Sequence, residues 1–281
     1  MSFAVAAFQW PLQFCAFVTG ATYIASLITV NVSQVDRLWT FLPTIYTAYF
    51  ALLPIWPASK QPFLLCPYVP DQLRFSAQNF SPRAVLMLCL TTTWMCRCES
   101  SHSTRFKFID IPRLSYNTYR RGLFRLSDED YRWAVLRKRI PSWLFQVFNL
   151  SFVSIIQNML LLSLSYPTFI AVTQPHTPLA LSDIGLALLE LAVLALEFTA
   201  DNQQYAYQTF KYSLLGKGDA YDENKQWPGA RLHWTAEDAN RGFITKGLWA
   251  YCRHPNFACE QSFWVSSFAA RLISFIMNNS G

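Results

Sequence analysis

Long apolar runs recur along the chain, and they limit what it can fold into more than any other feature. A helix needs about 20 mostly apolar residues to cross the hydrocarbon core of a bilayer. Charged residues make up 14% of the sequence, well below the roughly 25% usual in soluble domains. We therefore expect an all-α, multi-pass integral membrane bundle of about six transmembrane helices, forming a single domain over 1–281. The helices are predicted at 12–30, 39–56, 84–96, 143–163, 182–200 and 262–277.

The distribution of basic residues predicts how this bundle is oriented. Of the 23 Lys and Arg residues, 18 lie in two segments, Arg97 to Arg139 and Lys211 to Arg253. Basic loops stay on the cytoplasmic side of a membrane, so the connecting segments 97–140 and 205–255 are predicted to be cytoplasmic. The chain starts without a basic n-region, so we expect no cleavable signal peptide and a first helix that acts as its own insertion signal.

Other signals exclude several classes of protein. The seven cysteines include no C-x-x-C pair, which argues against a metal site or a disulfide framework. The sequence has no G-x-G-x-x-G after a strand, no P-loop, and no zincin or nucleophile-elbow motif. Its basic segments are interleaved with acids and adjoin apolar runs, where lipid headgroups are a simpler partner than nucleic acid. We expect a lipid bilayer and a hydrophobic small molecule as partners, with no metal and no nucleic acid.

Polar side chains interrupt the fifth apolar run at helical spacing. Offsets of seven, four, three and four residues separate Glu190, Glu197, Asp201, Gln204 and Gln208. A helix places such a series on one face. Carboxylates within an apolar helix are costly in lipid and should face the bundle interior, a cavity or a partner. The series indicates a functional site from Glu197 onward, whereas Glu190 is equally consistent with a hydrogen bond that holds two helices together.

A second polar cluster precedes the last apolar run, in the stretch GLWAYCRHPNFACEQSFW at 247–264. Pro255 suits the first position of a helix, and the free N–H groups of a helix start attract anions. Arg253 adds a guanidinium whose forked donors fit phosphate or carboxylate. Asn256 and Glu260 would share one face of that helix, so the cluster predicts a cofactor site at the membrane surface. A basic interfacial anchor would explain Arg253 but not Glu260.

Two further segments carry polar clusters, and for each the sequence predicts local structure. In NVSQVDRLWTFLP, between the first two runs, hydrogen bonding between helix ends is the favoured role. The polar residues of that segment are Asn31, Gln34, Asp36 and Arg37. In 127–139, a helix-start signal at Ser127 and a basic last turn predict a short helix. That helix would either lie against anionic headgroups or grip a phosphorylated ligand.

The stretch 247–264 resembles the C-terminal signature of the steroid 5-alpha-reductase-like membrane reductases. The family pattern is roughly G-L-W-x-Y-x-R-H-P-N-Y-x-x-E before an apolar aromatic helix, and this sequence matches it except at Phe257, where the family usually has Tyr. EFTADNQQ resembles the family's E-x-x-A-D-x-Q-K element through Glu197, Asp201 and Gln203. NVSQVDRLWTFLP and EDYRW resemble elements of the branch designated domain of unknown function 1295.

The resemblance implies an enzyme of lipid metabolism, placed in the endoplasmic reticulum if the protein is eukaryotic. Such a reductase uses NADPH to reduce a carbon–carbon double bond beside a carbonyl in a sterol, steroid or other enone. The implied cofactor-binding residues are Asp201, Gln203, Arg253, His254, Asn256 and Glu260. Hydride transfer needs orientation and a donor to the developing enolate oxygen. The candidate catalytic residues for that donation are Tyr251 and Glu197.

Two departures from the family pattern leave alternatives open. Phe257 lacks the hydroxyl of the usual Tyr, and family members continue past the aromatic helix, where this sequence ends at RLISFIMNNSG. One alternative is therefore a truncated or degenerate membrane protein without activity. The R-H-P element also occurs in membrane methyltransferases that use S-adenosylmethionine, which are the second alternative. The DNQQ element and the spacing from Asn256 to Glu260 favour the reductase.

Overall fold

A computed structural model describes residues 5, 7–60, 62–63, 65–96, 129–218 and 220–279. Within these residues the chain is all-α and contains no strand, which confirms the all-α part of the expected fold. Most of the predicted connecting segment 97–140, including Ser127, lies outside the described residues. The principal helices are α1 (Gln9–Thr29), α2 (Leu42–Ala51), α3 (Pro82–Cys96), α4 (Tyr131–Arg139), α5 (Ser142–Phe148), the π-helix π1 (Asn149–Ile156), α6 (Gln157–Ser163), α7 (Tyr166–Thr173), α8 (Leu181–Leu214), α9 (Ala236–Arg241) and α10 (Pro255–Asn279).

Several helix boundaries follow from proline and capping residues. Pro82 and Pro255 are the first residues of α3 and α10, positions where the missing N–H costs nothing. Asp130 caps α4 by accepting a hydrogen bond from the backbone N–H of Arg132. The predicted basic last turn of α4 is present, and Pro141 follows it as the N-cap of α5.

Aromatic packing joins the helices that matter most for the site. α8 lies against α10 along much of its length, and α3 packs on α8 beside them. Trp94 of α3 stacks on Phe263 of α10 at 6.5 Å between ring centroids and meets Trp264 edge-on at 5.0 Å. Leu194 of α8 completes this buried cluster. Burying side chains of this size stabilises by roughly 1.5–3 kcal/mol each, so α3, α8 and α10 form one packed unit.

Two segments are long and apolar enough to cross a membrane, Gln9–Thr29 and Ser142–Thr173. The second runs through α5, π1, α6 and α7. All six apolar runs correspond to helices, but α2 has only 10 residues and α3 only 15, fewer than a membrane crossing needs. The described residues therefore support an all-helical bundle with two candidate membrane spans.

The π-helical stretch Asn149–Ile156 widens the second candidate span where it contacts α1. The side-chain amide of Asn149 donates to the Ser26 hydroxyl at 2.8 Å, and that of Asn158 donates to the Ser154 carbonyl at 2.7 Å. Both asparagine side-chain oxygens are buried and accept no hydrogen bond from the part of the chain that the structure describes. Burying an unpaired polar oxygen destabilises the fold by about 1–3 kcal/mol. The packing of the surrounding side chains must offset this cost where α1 contacts π1.

A buried ion pair closes the end of the bundle where α3 and α8 begin. Arg83 Nε lies 3.1 and 3.0 Å from the two carboxylate oxygens of Asp183, and Arg83 Nη1 donates to the Thr177 hydroxyl at 2.9 Å. Asp183 also accepts from the backbone N–H of Ala180 at 2.9 Å and so caps α8. Removing one partner of a buried pair costs about 3–5 kcal/mol, so this contact holds the start of α8 against α3.

The polar cluster between α1 and α2 forms hydrogen bonds between helix ends, as predicted. Gln34 Nε2 donates to Thr29 Oγ1 at 2.7 Å, and Arg37 donates to Gln34 Oε1 at 2.9 Å. Trp133 of α4 donates to an Asp36 oxygen at 3.1 Å. Burial raises the pKa of the Asp36 carboxyl despite this hydrogen bond, which is the effect expected of a desolvated acid.

Candidate functional site where α8 meets α10

α8 presents a row of buried polar side chains to the bundle. Glu190, Glu197 and Asp201 are 5%, 1% and 8% exposed, which confirms the predicted series up to that point. Beyond Asp201 the buried face changes, because the short turns around 228–230 and 247–250 cover another side of α8. Gln203 is therefore buried at 4% exposure. The two predicted members of the series that are only half-buried are Gln204 and Gln208.

α10 begins beside this row. Asn256, the second residue of the helix, donates its side-chain amide to Asp201 Oδ1 at 3.1 Å. Asp201 lies 20 residues along α8 from Leu181, a distance of about 30 Å at 1.5 Å per residue. The first turn of α10 is thus fixed against a buried carboxylate far from the Arg83 end of the bundle.

Gln203 fixes the turn that leads into α10. Its Oε1 accepts from the backbone N–H of Leu248 at 2.9 Å, and its Nε2 donates to the carbonyl of Gly229 at 3.0 Å. Gly247 has a φ of 62°, and a Cβ there would lie only 2.6 Å from Gln203 Oε1. Glycine is needed at this position for both its conformation and its lack of a side chain. Gln203 is therefore a positioning residue, because both ends of its amide are already engaged.

The sequence analysis did not predict two sets of contacts that stabilise the same turn. Trp249 donates its indole N–H to the carbonyl of Ala200 at 3.1 Å. Thr235 and Asp238 form the capping box of α9, and Asp238 also accepts from Lys246 Nζ. The Lys246 contact, with the hydrogen bonds from Thr235, lowers the pKa of Asp238 to about 2. The T-x-x-D spacing is a readable capping-box signal, whereas the contacts of Trp249 and Lys246 depend on the tertiary fold.

The remaining motif residues lie at or near the protein surface, beside the row of buried polar residues on α8. Arg253 and His254 are exposed, and Glu260 is half-buried on α10. Tyr251, a candidate catalytic residue, is 90% exposed and does not contact the buried Glu197. The structure brings together Asp201 and Asn256, buries Glu197 one turn earlier on α8 and Gln203 on another side of the helix, and places Tyr251, Arg253 and His254 at the surface.

Glu190 belongs to a separate contact between α8 and α10. Ser267 donates to Glu190 Oε1 at 3.1 Å, and Ser266 lies 3.5 Å from the same oxygen. Glu190 borders a cavity of about 10 Å³ that Thr91 and Thr168 also line, enough for about one water molecule. Of the two roles left open for Glu190, this arrangement favours the hydrogen bond that holds two helices together.

The surface residues and the buried polar residues of α8 differ in the hydrogen-bonding groups that they offer a ligand. Arg253 and the first backbone N–H groups of the 25-residue α10 are donors suited to phosphate. The carboxylates of Asp201 and Glu260 are acceptors suited to hydroxyl and amide groups. These donors and acceptors are the types of group that bind phosphates and hydroxyl-bearing sugars.

A family model covers most of the chain, including every candidate site residue. Residues 22–278 match the family described as "Protein of unknown function (DUF1295)". The chain belongs to the DUF1295 family. This DUF1295 chain is also 30% identical over 242 residues to Uncharacterized protein C594.04c of Schizosaccharomyces pombe, an alignment that covers 86% of this chain and 58% of the relative. The chain thus spans less than two thirds of that relative's length, and no solved structure matches it.

Proposed function

We propose that this DUF1295 protein is a membrane-embedded reductase that uses NADPH to reduce a carbon–carbon double bond beside a carbonyl in a lipid-like substrate. The observation that carries the proposal is the contact between Asn256 and Asp201, which joins the buried carboxylates of α8 to the start of α10. The resemblance of the same residues to the reductase signature supports NADPH as the cofactor. The two candidate membrane spans support a lipid environment.

The length of α8 supports a site at the membrane boundary. The stretch from Leu181 to Asp201 extends about 30 Å, which equals the thickness of the hydrocarbon core. Glu197 would then lie within the bundle and away from lipid, as a buried acid requires. In this arrangement α8 and α10 cross the membrane beside the two candidate spans, and the membrane is that of the endoplasmic reticulum if the protein is eukaryotic. A polar cofactor could enter from water while an apolar substrate enters from lipid.

NADPH supplies a hydride when it is bound. Arg253 and the N–H groups at the start of α10 would hold its phosphates, with His254 beside them. Asp201 and Glu260 would accept hydrogen bonds from its sugar or amide groups. Gln203 would act indirectly, because its amide holds the backbone at Leu248 and Gly229.

Glu197 is the residue best placed to assist the reaction from inside the bundle. It lies one helical turn before Asp201 and is 1% exposed. Reduction adds a hydride to the carbon β to the carbonyl and a proton to the α carbon. A protonated Glu197 can donate a hydrogen bond to the carbonyl oxygen as negative charge develops there. Tyr251 would have to turn inward from its exposed position to share this role.

Cofactor binding by the purified protein tests the proposal. NADPH and S-adenosylmethionine are titrated separately, with tryptophan quenching as the signal. Arg253→Ala is expected to weaken NADPH binding about 10- to 100-fold, the usual effect of losing a charge-assisted phosphate contact. Arg74→Ala, an exposed arginine in the connection between α2 and α3, is the matched control and should bind normally. Binding of S-adenosylmethionine alone would instead identify a methyltransferase, and binding of neither would indicate an inactive chain.

Reduction of an enone separates chemistry from binding. Glu197→Gln keeps the size of the side chain but provides an amide in place of the acid. We expect it to bind NADPH within about twofold of the native protein, while reduction falls at least about 100-fold. Equal reduction by the two proteins would remove Glu197 from the mechanism.

A further inference from the structure

The corner formed by α4 and the start of α5 is firmly fixed to the rest of the protein. Arg137 donates to both oxygens of Glu129, at 2.9 and 2.6 Å, and Glu129 also accepts from the backbone N–H of Val32 at 3.0 Å. Trp133 is buried and donates to Asp36 at 3.1 Å. α4 is therefore attached to the turn after α1 through two carboxylates.

These contacts divide the basic residues of α4 into two groups. Arg132 pairs with Asp130 at 2.8 Å, and Arg137 pairs with Glu129. Lys138 and Arg139 are exposed and form no ion pair with any residue that the structure describes. Two adjacent positive charges are thus exposed on a helix whose position is fixed, without an ion-pair partner among the described residues.

An apolar surface begins directly after this basic pair. Trp143 follows Arg139 by four residues and is 69% exposed. α1 and π1 are adjacent, as the hydrogen bond between Ser26 and Asn149 shows. Exposed apolar side chains of these two elements and of α5 form a strip made up of Ile24, Leu27, Ile28, Val30, Leu144, Val147 and Leu150. The strip lies on the two segments that can cross a membrane, and it ends where the positive charge begins.

This arrangement matches the boundary between hydrocarbon and headgroups. Tryptophan is enriched at that boundary, and each Lys or Arg near an anionic surface contributes about a fivefold preference for it. An acidic protein partner would account for the basic pair but not for the exposed apolar strip beside it. We propose that Lys138, Arg139 and Trp143 form a binding site for the headgroup of an anionic phospholipid whose acyl chains lie along the strip.

The fixed position of α4 matters for this site. Arg137 and Trp133 hold the helix, so Lys138 and Arg139 are presented at one level relative to Trp143. Less conformational freedom is lost on binding from a held helix than from a loose loop. The site should therefore retain an individual lipid through purification instead of merely attracting a charged surface.

Native mass spectrometry of the full chain in detergent tests the proposal. Phosphatidylserine and phosphatidylcholine with the same acyl chains are added in equal amounts, and the two bound populations are compared. We expect the native protein to prefer phosphatidylserine at least about fivefold. The variant K138Q/R139Q should lose most of that preference, whereas K138R/R139K, which keeps both charges, should retain it.

A second charge variant serves as the matched control. K60Q/K217Q removes two exposed lysines from other parts of the surface and changes the net charge equally, so it should keep the preference. High salt should weaken the preference, because the basic pair is exposed and screened. Equal binding of both lipids by the native protein, or an unchanged preference in K138Q/R139Q, would overturn the proposal. Equal loss in K60Q/K217Q would show that only overall charge matters, and would overturn it too.

Discussion

Two aspartates on the same helix show how the ends of the bundle differ. Asp183 and Asp201 of α8 are similarly buried, at 4% and 8% exposure. Asp183 meets the guanidinium of Arg83 and caps its own helix. Asp201 instead accepts a hydrogen bond from the neutral amide of Asn256. The two aspartates are thus similarly buried, but one is paired with a guanidinium and the other accepts a hydrogen bond from a neutral amide.

The difference lies in what surrounds each carboxylate. The Arg83 contact neutralises Asp183 in place, so that end of α8 serves as a fixed attachment. At Asp201 the start of α10, the turn at Gly247 and the exposed Arg253 converge, and an amide can yield its hydrogen bond to a ligand more cheaply than a guanidinium can. Under the proposed function, Asp183 stabilises the fold and Asp201 would contribute to cofactor binding.

The largest effect expected is on stability at the fixed end. Asp183→Ala should lower the free energy of unfolding by about 3–4 kcal/mol, because it removes both the carboxylate partner of the half-buried Arg83 and the cap of α8. Asp201→Ala should cost less, about 1.5–3 kcal/mol, because the Asn256 contact that it removes is a hydrogen bond from a neutral amide to a carboxylate. Chemical denaturation in detergent measures both. Similar losses in the two variants would remove the distinction between the two ends.

A smaller effect tests whether the turn before α10 is built around Gln203. Gly247→Ala should destabilise by about 2–3 kcal/mol, because a Cβ meets the Gln203 amide and the backbone is left-handed. Gly216→Ala is a matched control, since its φ is 64° but nothing lies within 4 Å of a Cβ. The control should cost about 1 kcal/mol. Equal thermal shifts in the two variants would show that Gln203 moves aside freely.

A third carboxylate near the site, Asp238, predicts the response to acid. Its pKa in the folded protein is about 2, chiefly because Lys246 donates to it, whereas an unfolded aspartate titrates near 3.9. A lowered pKa stabilises the fold fully above pH ~4, and this contribution falls as pH drops toward 2. The loss should be about 1–2 kcal/mol, reduced because Lys246 is partly exposed.

Thermal melts between pH 5 and 2.5 measure that loss, with Asp238→Asn as the comparison. The variant should start from lower stability, because the amide cannot replace the charged contact with Lys246. Its melting temperature should also fall less steeply over this range than that of the native protein. Parallel curves for the two proteins would assign the acid response to other carboxylates.

The smallest expected loss of stability comes from removing the hydrogen bond between the Trp249 indole and the Ala200 carbonyl. Trp249→Phe retains most of the buried ring but removes the donor to Ala200. We expect a loss of about 1 kcal/mol and weaker NADPH binding by about two- to fivefold, because the turn that carries Arg253 becomes less fixed. Trp56→Phe, which removes an indole hydrogen bond to Tyr49 far from the site, should lose similar stability without any change in NADPH binding.

Helix positions and the buried acids were accessible from sequence because each depends on neighbours in the chain. Pro255 opens α10 as expected, and the spacing of Glu190, Glu197 and Asp201 put them on one buried face. The number of membrane spans was harder to predict from the sequence. Apolar length along the sequence does not reveal that α2 ends after 10 residues, a boundary that is followed by a turn around Pro54.

The surroundings of two candidate site residues depend on contacts between distant segments. Gln203 is a predicted cofactor-binding residue, and its amide is engaged by backbone groups 26 and 45 residues away. Tyr251 was assigned to catalysis from its place in the motif, and the turn at 247–250 directs it outward to 90% exposure. Sequence spacing predicts which residues share a helix face, but it does not predict which side of an irregular turn meets the solvent.

The length of α8 has a mechanical consequence. Its 34 residues extend about 51 Å, so roughly 20 Å continues beyond Asp201. That extension carries Tyr207, whose hydroxyl donates to the Asp238 carbonyl, and Lys211, which reaches the Gly242 carbonyl at 3.3 Å. One continuous helix therefore connects the Arg83 ion pair, the buried carboxylates, and the contacts with Asp238 and Gly242. A tilt of α8 would move all three together.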